Sequence, residues 1–360
     1  MVSTDLTDRN MMSLEEKHDS KQTNETFHSP ASIPDLSGLF TDYHCPWRYM
    51  NGYVATMAAF KPSNVRAPYV REELTTTDGD FIDLDICSPE NDADDAPIVV
   101  VLHGLGSSSY AAYIQKLAVA LRQEGIRTVA MNLRSSSRRP NKTPVLYNGM
   151  FTLDVECTVA LLTERYPCSK IALAGYSLGG AILTHYTATC APPPAVCGLY
   201  TCCSPMSLRE NVLDDHWLTS RLIKPAIMPF LHKVMKEKAE RFPKMREHAL
   251  AAAIATDITE FDRNWTCKVF EYDTPEAYYE DASADNVIQD IAVPTLMLFA
   301  KNDPLATPSM QERAWGKINA NEYVTAVVQK RGGHQGFVSK EGDWLEVNEV
   351  KLMKRFFGME

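Results

Sequence analysis

The pattern of apolar and polar positions divides the chain into distinct stretches. Residues 1–36 hold few apolar positions and no repeating spacing, so they read as a disordered tail. After Asp78-Gly79, a pair suited to a tight hairpin turn, Ile82, Leu84 and Ile86 alternate with Asp83 and Asp85, the period of a half-buried strand. Ile98–Leu102 is apolar throughout and lies between an acidic loop and Gly104. Ile114, Leu117, Ala118 and Leu121 then fall on one helix face, with Gly125 placed to end that helix. Further strands are predicted at 128–133, 171–174 and 196–200. Between them lie helices marked by Val155, Val159 and Leu162, and by residues 181–186. Strand and helix alternate, which predicts an α/β fold with a mostly parallel central sheet flanked by helices.

From about 205 to 290 the strand period is lost. Leu222, Ala226, Ile227, Phe230, Val234 and Met235 suit helices, with Pro225 and Pro229 expected to kink or divide them. Thr274-Pro275-Glu276 opens another helix, with Thr as cap and Pro at the first position. The sheet resumes at 295–299 and 325–328, and a last helix carries Val347, Val350, Leu352, Met353 and Phe356. The expected organisation is one α/β domain over 37–360, interrupted by a helical cap insertion at about 205–290.

Composition narrows the function. The 360 residues are 45% apolar and 23% charged, the balance of a soluble globular protein. The net charge of −10 argues against nucleic acid as a partner, since phosphate binding needs a basic face. Nine cysteines are too few for a disulfide scaffold and lack zinc-ligand spacing, so they read as small buried hydrophobes in a reducing compartment. Asp5, Asp8, Glu15 and Glu16 break any apolar leader. The longest weakly polar run, 171–189, contains Gly175, Ser177 and His185 and is no transmembrane segment. A cytoplasmic location is expected. No metal cluster, phosphate-binding loop or dinucleotide fingerprint is present, so no cofactor is expected.

Chemistry concentrates at strand ends. Gly175-Tyr176-Ser177-Leu178-Gly179-Gly180 fits G-x-S-x-G between a predicted strand and a predicted helix, the context of a nucleophile elbow. Such a turn strains the serine backbone, and its glycine neighbours must lack a Cβ to let strand and helix approach. A glycine-rich turn with an incidental serine is the plain alternative. Strand 98–102 runs into His103-Gly104-Leu105-Gly106. Acyl transfer develops negative charge on a carbonyl oxygen, which two backbone N–H groups can stabilise. Leu178 and Leu105 are the candidate oxyanion-hole donors, and His103 is read as a brace for its loop. The acid and base should follow later strands in the order Ser, Asp, His. Asp303 follows 295–299 and His334 follows 325–328. Asp281, Asp285 and Asp290 are rivals for the acid, but they precede the strand. The carboxylate would orient the imidazole, which deprotonates the serine.

At this point the chain resembles an α/β-hydrolase subfamily. That group holds bacterial YheT-like hydrolases, yeast medium-chain fatty-acid ethyl ester synthase/esterases, and animal lipases cleaving phospholipids or acylglycerols. The matching runs are His103-Gly104-Leu105, Asn132-Leu133-Arg134, the elbow, Tyr278-Tyr279 with Asp281-Ala282-Ser283, Pro294-Thr295-Leu296 with Asn302-Asp303-Pro304, and Gly332-Gly333-His334-Gln335-Gly336-Phe337. The resemblance runs from about Trp47 to Phe357. It implies a triad of Ser177, Asp303 and His334. There are three departures. Ser135 stands where the family has Gly after Asn-x-Arg. Tyr53 and Ala55 replace the His and Gln of an Asn-Gly-His-x-Gln-Thr motif. The N-terminal membrane helix frequent in animal members has no counterpart in the tail.

The expected activity is that of a serine carboxylic-ester hydrolase acting on a small-molecule lipid or medium-chain ester. The alternatives are an acyltransferase or ester synthase that passes the acyl group to an alcohol, and a non-catalytic binding protein of the same fold. Arg134, Arg138, Arg139 and Lys142 follow a strand. They are candidates for contact with a phosphate or an anionic bilayer, hence for peripheral membrane contact, against a solvated basic loop. Met228, Phe230, Leu231 and Met235 could line an acyl tunnel or pack as core.

Overall fold

The computed structural model describes residues 34–36, 38–213, 224–340 and 342–359. The expected tail therefore lies, up to residue 33, outside the described residues, as does Leu222.

Among the described residues one eight-stranded sheet has the order β1-β2-β4-β3-β5-β6-β7-β8. The strands are β1 Val70–Thr75, β2 Phe81–Cys87, β3 Ile98–Leu102, β4 Arg127–Asn132, β5 Ile171–Tyr176, β6 Val196–Cys202, β7 Thr295–Ala300 and β8 Val324–Gln329. β1–β2 and β2–β4 are antiparallel, and all other pairs are parallel. The helices are α1 Gly52–Ala59, α2 Ala112–Gln123, α3 Leu153–Arg165, α4 Leu178–Thr189, α5 Leu208–Leu213, α6 Lys224–Arg241, α7 Arg246–Ala252, α8 Ile258–Asn264, α9 Thr266–Val269, α10 Pro275–Asp281, α11 Pro308–Ala320 and α12 Trp344–Phe357.

Successive side chains of a strand point to opposite faces, and the sheet divides its core accordingly. Ile98, Val100 and Leu102 of β3 join Ile171 and Leu173 of β5 in the core under α3, α4 and α11. Val99, Val101, Ala172, Ala174 and Tyr176 join the opposite core, under α2 and α12. A strand buried on both faces reads as a continuous apolar run, which is why β3 shows no alternation.

Helices α5–α10 occupy the chain between β6 and β7, with no strand among the described residues there. α6 runs from Lys224 to Arg241 through Pro225 and Pro229, so the prolines do not divide it. Met228, Leu231, Val234 and Met235 are buried along it, so packing of this face compensates for the lost backbone hydrogen bond. The parallel strands send the turns after β3, β5, β7 and β8 to one edge of the sheet, where ligands of open α/β sheets bind.

Candidate active site

Ser177 sits between β5 and α4 with φ 51° and ψ −125°, a region that side chains other than glycine rarely adopt. The surrounding glycines follow from close approach. A Cβ on Gly175 would lie 2.5 Å from Gly180 Cα, and one on Gly179 would lie 2.6 Å from the carbonyl oxygen of His103. Ser177 N–H donates to Cys202 O at 3.0 Å, tying the turn to the end of β6.

The loop after β3 lies directly above this serine. A Cβ on Gly104 would lie 3.1 Å from Ser177 Cβ and 3.6 Å from its Oγ. His103 is fully buried and does brace this loop. Its Nδ1 is 2.7 Å from Gly104 O, and its Nε2 accepts Leu133 N–H at 3.2 Å. Nδ1 must then carry the proton. Burial pulls the imidazole down from 6.5 to about 4, so it stays neutral at pH 7. Gly106 N–H and Ser107 N–H are bonded to Tyr147 Oη and Gly104 O. Among the described residues, the N–H groups of Leu105 and Leu178 have no protein acceptor.

Asp303 and His334 meet at the same edge, and both are buried. His334 Nδ1 is 2.9 Å from Asp303 Oδ2 and 3.2 Å from Oδ1. Leu305 and Ala306 N–H donate to Oδ1 at 2.8 and 3.0 Å, fixing the carboxylate before it meets the ring. His334 N–H donates to Thr56 Oγ1 at 2.8 Å, so α1 positions the histidine loop. With Nδ1–H donating a hydrogen bond to the Asp303 carboxylate, Nε2 is the ring nitrogen left to accept a proton.

Sequence reasoning missed Cys203 as a neighbour of this pair. It stands just past β6 with φ 51°, and its Sγ is 3.6 Å from Gly333 O. Its sulfur and the ligand atoms of Asp303 and His334 lie within 4.8 Å of one another. Burial pushes the thiol well above its ordinary range. A metal would require that thiol as thiolate, whereas the Asp303 oxygens are already taken by two N–H groups and the ring. This donor set is that of a hydrogen-bonded acid–base pair. A buried Cys-Cys run carries no sequence signal for the turn that brings Cys203 here.

The family model described as serine aminopeptidase S33 (Hydrolase_4) matches residues 93–341. The chain belongs to the Hydrolase_4 family. It is similar to an abhydrolase domain-containing protein of Dictyostelium discoideum, 26% identical over 90% of this chain and 84% of the relative. It is also similar to Phospholipase ABHD3 of Bos taurus, 26% identical over 85% of this chain and 77% of that one. Among solved structures, the Pyrococcus furiosus esterase Pf2001 matches with a TM-score of 0.55 and 17% identity, covering 83% of this chain and 94% of that one. This Hydrolase_4 member is an esterase/lipase-type α/β-hydrolase, a carboxylic-ester hydrolase.

Other candidates from the sequence fall elsewhere. Arg134 is buried and bonded to Asp78 and Asp154, Arg139 pairs with Glu73 and Asp83, and Lys142 with Glu73. These cations hold the β1–β2 hairpin to the loop after β4, so Arg134, Arg139 and Lys142 are committed to carboxylates and not to an outside phosphate. Asp285 is paired with Arg313 and Lys317, and Asp281 accepts from Tyr272 Oη. Met228, Leu231 and Met235 are core. Phe230 instead faces the His103–Gly106 loop, its Cδ1 3.6 Å from where a Gly106 Cβ would stand. Ser135, at the family's glycine position, has φ 65°, and its Oγ donates to Asn141 Oδ1 at 2.7 Å. The left-handed turn explains the preference for glycine, and the hydrogen bond offsets its strain here.

Proposed function

We propose that this hydrolase cleaves lipid or medium-chain acyl esters through an acyl-enzyme on Ser177, with His334 as base and acid and Asp303 orienting it. One observation carries the reading. A strained serine with the His103–Gly106 loop above it shares a sheet edge with a buried imidazole–carboxylate pair 2.9 Å apart.

The steps follow from the groups present. His334 Nε2 takes the Ser177 hydroxyl proton as Oγ attacks the ester carbonyl carbon. Asp303 stabilises the imidazolium that forms without itself taking the proton. The carbonyl oxygen becomes an oxyanion, which Leu105 and Leu178 N–H stabilise; removing one such donor typically costs about 3 kcal/mol of barrier. His334 returns its proton to the leaving alkoxide as the C–O bond breaks. Water, deprotonated by the same nitrogen, then attacks the acyl carbon and releases the acid, and Ser177 regains its proton. Helices α5–α10 serve as the cap, with Phe230 beside Gly106 of the oxyanion loop.

The test is fluorophosphonate labelling and turnover of a medium-chain ester, with and without added alcohol, in wild type and Ser177→Ala. Labelling and turnover in wild type, both lost in the variant, are expected, with free acid as the main product. Turnover retained in Ser177→Ala would overturn the mechanism. Product ester dominating when alcohol is present would favour the synthase reading.

A further inference from the structure

A surface helix normally buries its large apolar side chains and exposes polar ones. α1 and the turn before it do the reverse. The inner face of α1 is made of Gly52, Ala55 and Thr56, all buried. Its outer face and flanks carry Trp47 (81% exposed), Met50 (45%), Val54 (46%), Met57 (48%) and Phe60 (50%). These positions recur at three- and four-residue spacing. Single exposed hydrophobes are ordinary. Here, however, five of the eleven large exposed apolar side chains among the described residues fall within positions 47–60. Such a concentration of exposed large apolar side chains on one short segment marks a contact surface.

Charge selects the partner. In a chain of net charge −10, residues 43–71 contain no Asp or Glu but do contain Arg48, Lys61, Arg66 and Arg71. Arg48 and Lys61, both exposed, flank the apolar face at its two ends. Arg331 and Asn302 donate to Met50 O, bringing Arg331 and the neighbouring exposed Lys301 to the same rim. Large apolar side chains ringed by Arg and Lys fit the boundary between acyl chains and anionic headgroups. A soluble protein partner of this acidic chain would not require the cationic rim.

We propose that the 47–61 segment docks the enzyme on a bilayer surface carrying anionic lipid. Position supports the assignment. A Cβ on Gly333 would lie 2.5 Å from Gly52 O, and Thr56 holds His334 N–H, so the apolar helix sits on the loop of the candidate base. Docking there brings the reactive edge of the sheet to the lipid. The proposal rests on the ester-hydrolase reading for its purpose, but the binding it describes does not require catalysis. It also places membrane contact at α1 and not at the 134–142 loop, where Arg134, Arg139 and Lys142 are paired with carboxylates and Arg138 alone is exposed without such a partner among the described residues.

Co-sedimentation of the full-length protein with vesicles of phosphatidylcholine, alone or mixed with phosphatidylglycerol, tests this. Wild type is expected to bind the anionic vesicles and to bind neutral ones more weakly. Trp47→Ser/Met57→Ser/Phe60→Ser is expected to bind anionic vesicles at least about tenfold more weakly, while turning over a soluble short-chain ester as wild type does. Arg48→Glu/Lys61→Glu is expected to lose the preference for anionic vesicles. Ser177→Ala should bind as wild type, which separates failed docking from failed catalysis. The proposal is overturned if wild type binds neither vesicle, or if the triple variant binds as wild type does. It is equally overturned if the face proves to join two copies of the chain, seen as a dimer that the triple variant dissolves with no change in vesicle binding.

Discussion

At the scale of single residues the site is a matter of missing atoms as much as of present ones. Gly179 lacks the Cβ that would fall 2.6 Å from His103 O and 2.7 Å from Leu102 O. Backbone cannot yield as a flexible side chain can, so Gly179→Ala must move either the Ser177 turn or the loop that begins at His103. A displacement near 1 Å at reacting groups lowers rate by about 100-fold, and Gly179→Ala is expected to lose at least that in kcat/KM on a soluble ester while keeping a native circular dichroism spectrum. Activity within tenfold of wild type would show that the close packing has no functional role. Ser177, Asp303 and His334 could be named as candidates from the sequence because each lies in the turn that follows a strand, and the apolar runs of β5 and β7 mark those strands clearly. Cys203 was not readable. Its place beside Asp303 and His334 depends on a left-handed backbone turn, which no residue type near it announces. The partners of the cations after β4 are not legible for the same kind of reason: a run of Arg and Lys shows charge but not the carboxylates that the fold brings to Arg134, Arg139 and Lys142.

At the scale of elements, those carboxylates explain how the hairpin is held. Arg134 Nη2 lies 2.7 Å from Asp154 Oδ1, and its Nη1 2.8 Å from Asp78 Oδ2. Burial raises Asp154 to about 6 even against this neighbouring cation. Breaking a buried pair by removing one partner typically costs about 3–5 kcal/mol. Arg134→Met is expected to lose that much in urea unfolding, and Arg139→Ala to leave the ratio of phospholipid to neutral-ester turnover unchanged. A selective fall in phospholipid turnover would restore the loop as a headgroup site. The paired strand β1 escaped notice because it is an exposed edge, with Arg71, Glu72 and Glu73 in place of an apolar face. α1 is hard to read because its apolar period, Val54, Met57 and Phe60, lies on the exposed face while the buried face is small residues. The elements that were readable are those whose burial is itself periodic or complete.

At the scale of the whole molecule, the helical segment and the α/β core are joined by a buried cation. Lys238 of α6 is 2% exposed and donates to Asn141 Oδ1 at 2.8 Å and to Thr143 O at 3.0 Å. Arg241 of the same helix donates to Asn141 O. This contact holds α6, and with it Phe230, against the core that carries the His103–Gly106 loop. Burial draws the Lys238 ammonium down from 10.5 to about 7, with Asp80 opposing and Arg241 and Arg134 adding to the fall; Glu237 also faces it and opposes. The folded protein therefore releases this proton near neutrality, while the unfolded chain keeps it to about pH 10.4. Between those values unfolding takes up a proton, so this group's contribution to stability rises with pH, by at most about 1.4 kcal/mol per unit. Below pH 7 both states are charged, and the cost of burying the cation is present in full. Lys238→Met removes that cost. The two acceptors keep other donors, since Ser135 Oγ donates to Asn141 Oδ1 and Asn141 Nδ2 to Thr143 O. The variant should therefore exceed wild type in Tm most at pH 6, and the margin should shrink steadily toward pH 9. A margin independent of pH would mean that Lys238 stays charged throughout this range, and that its hydrogen bonds to Asn141 and Thr143 compensate for burial.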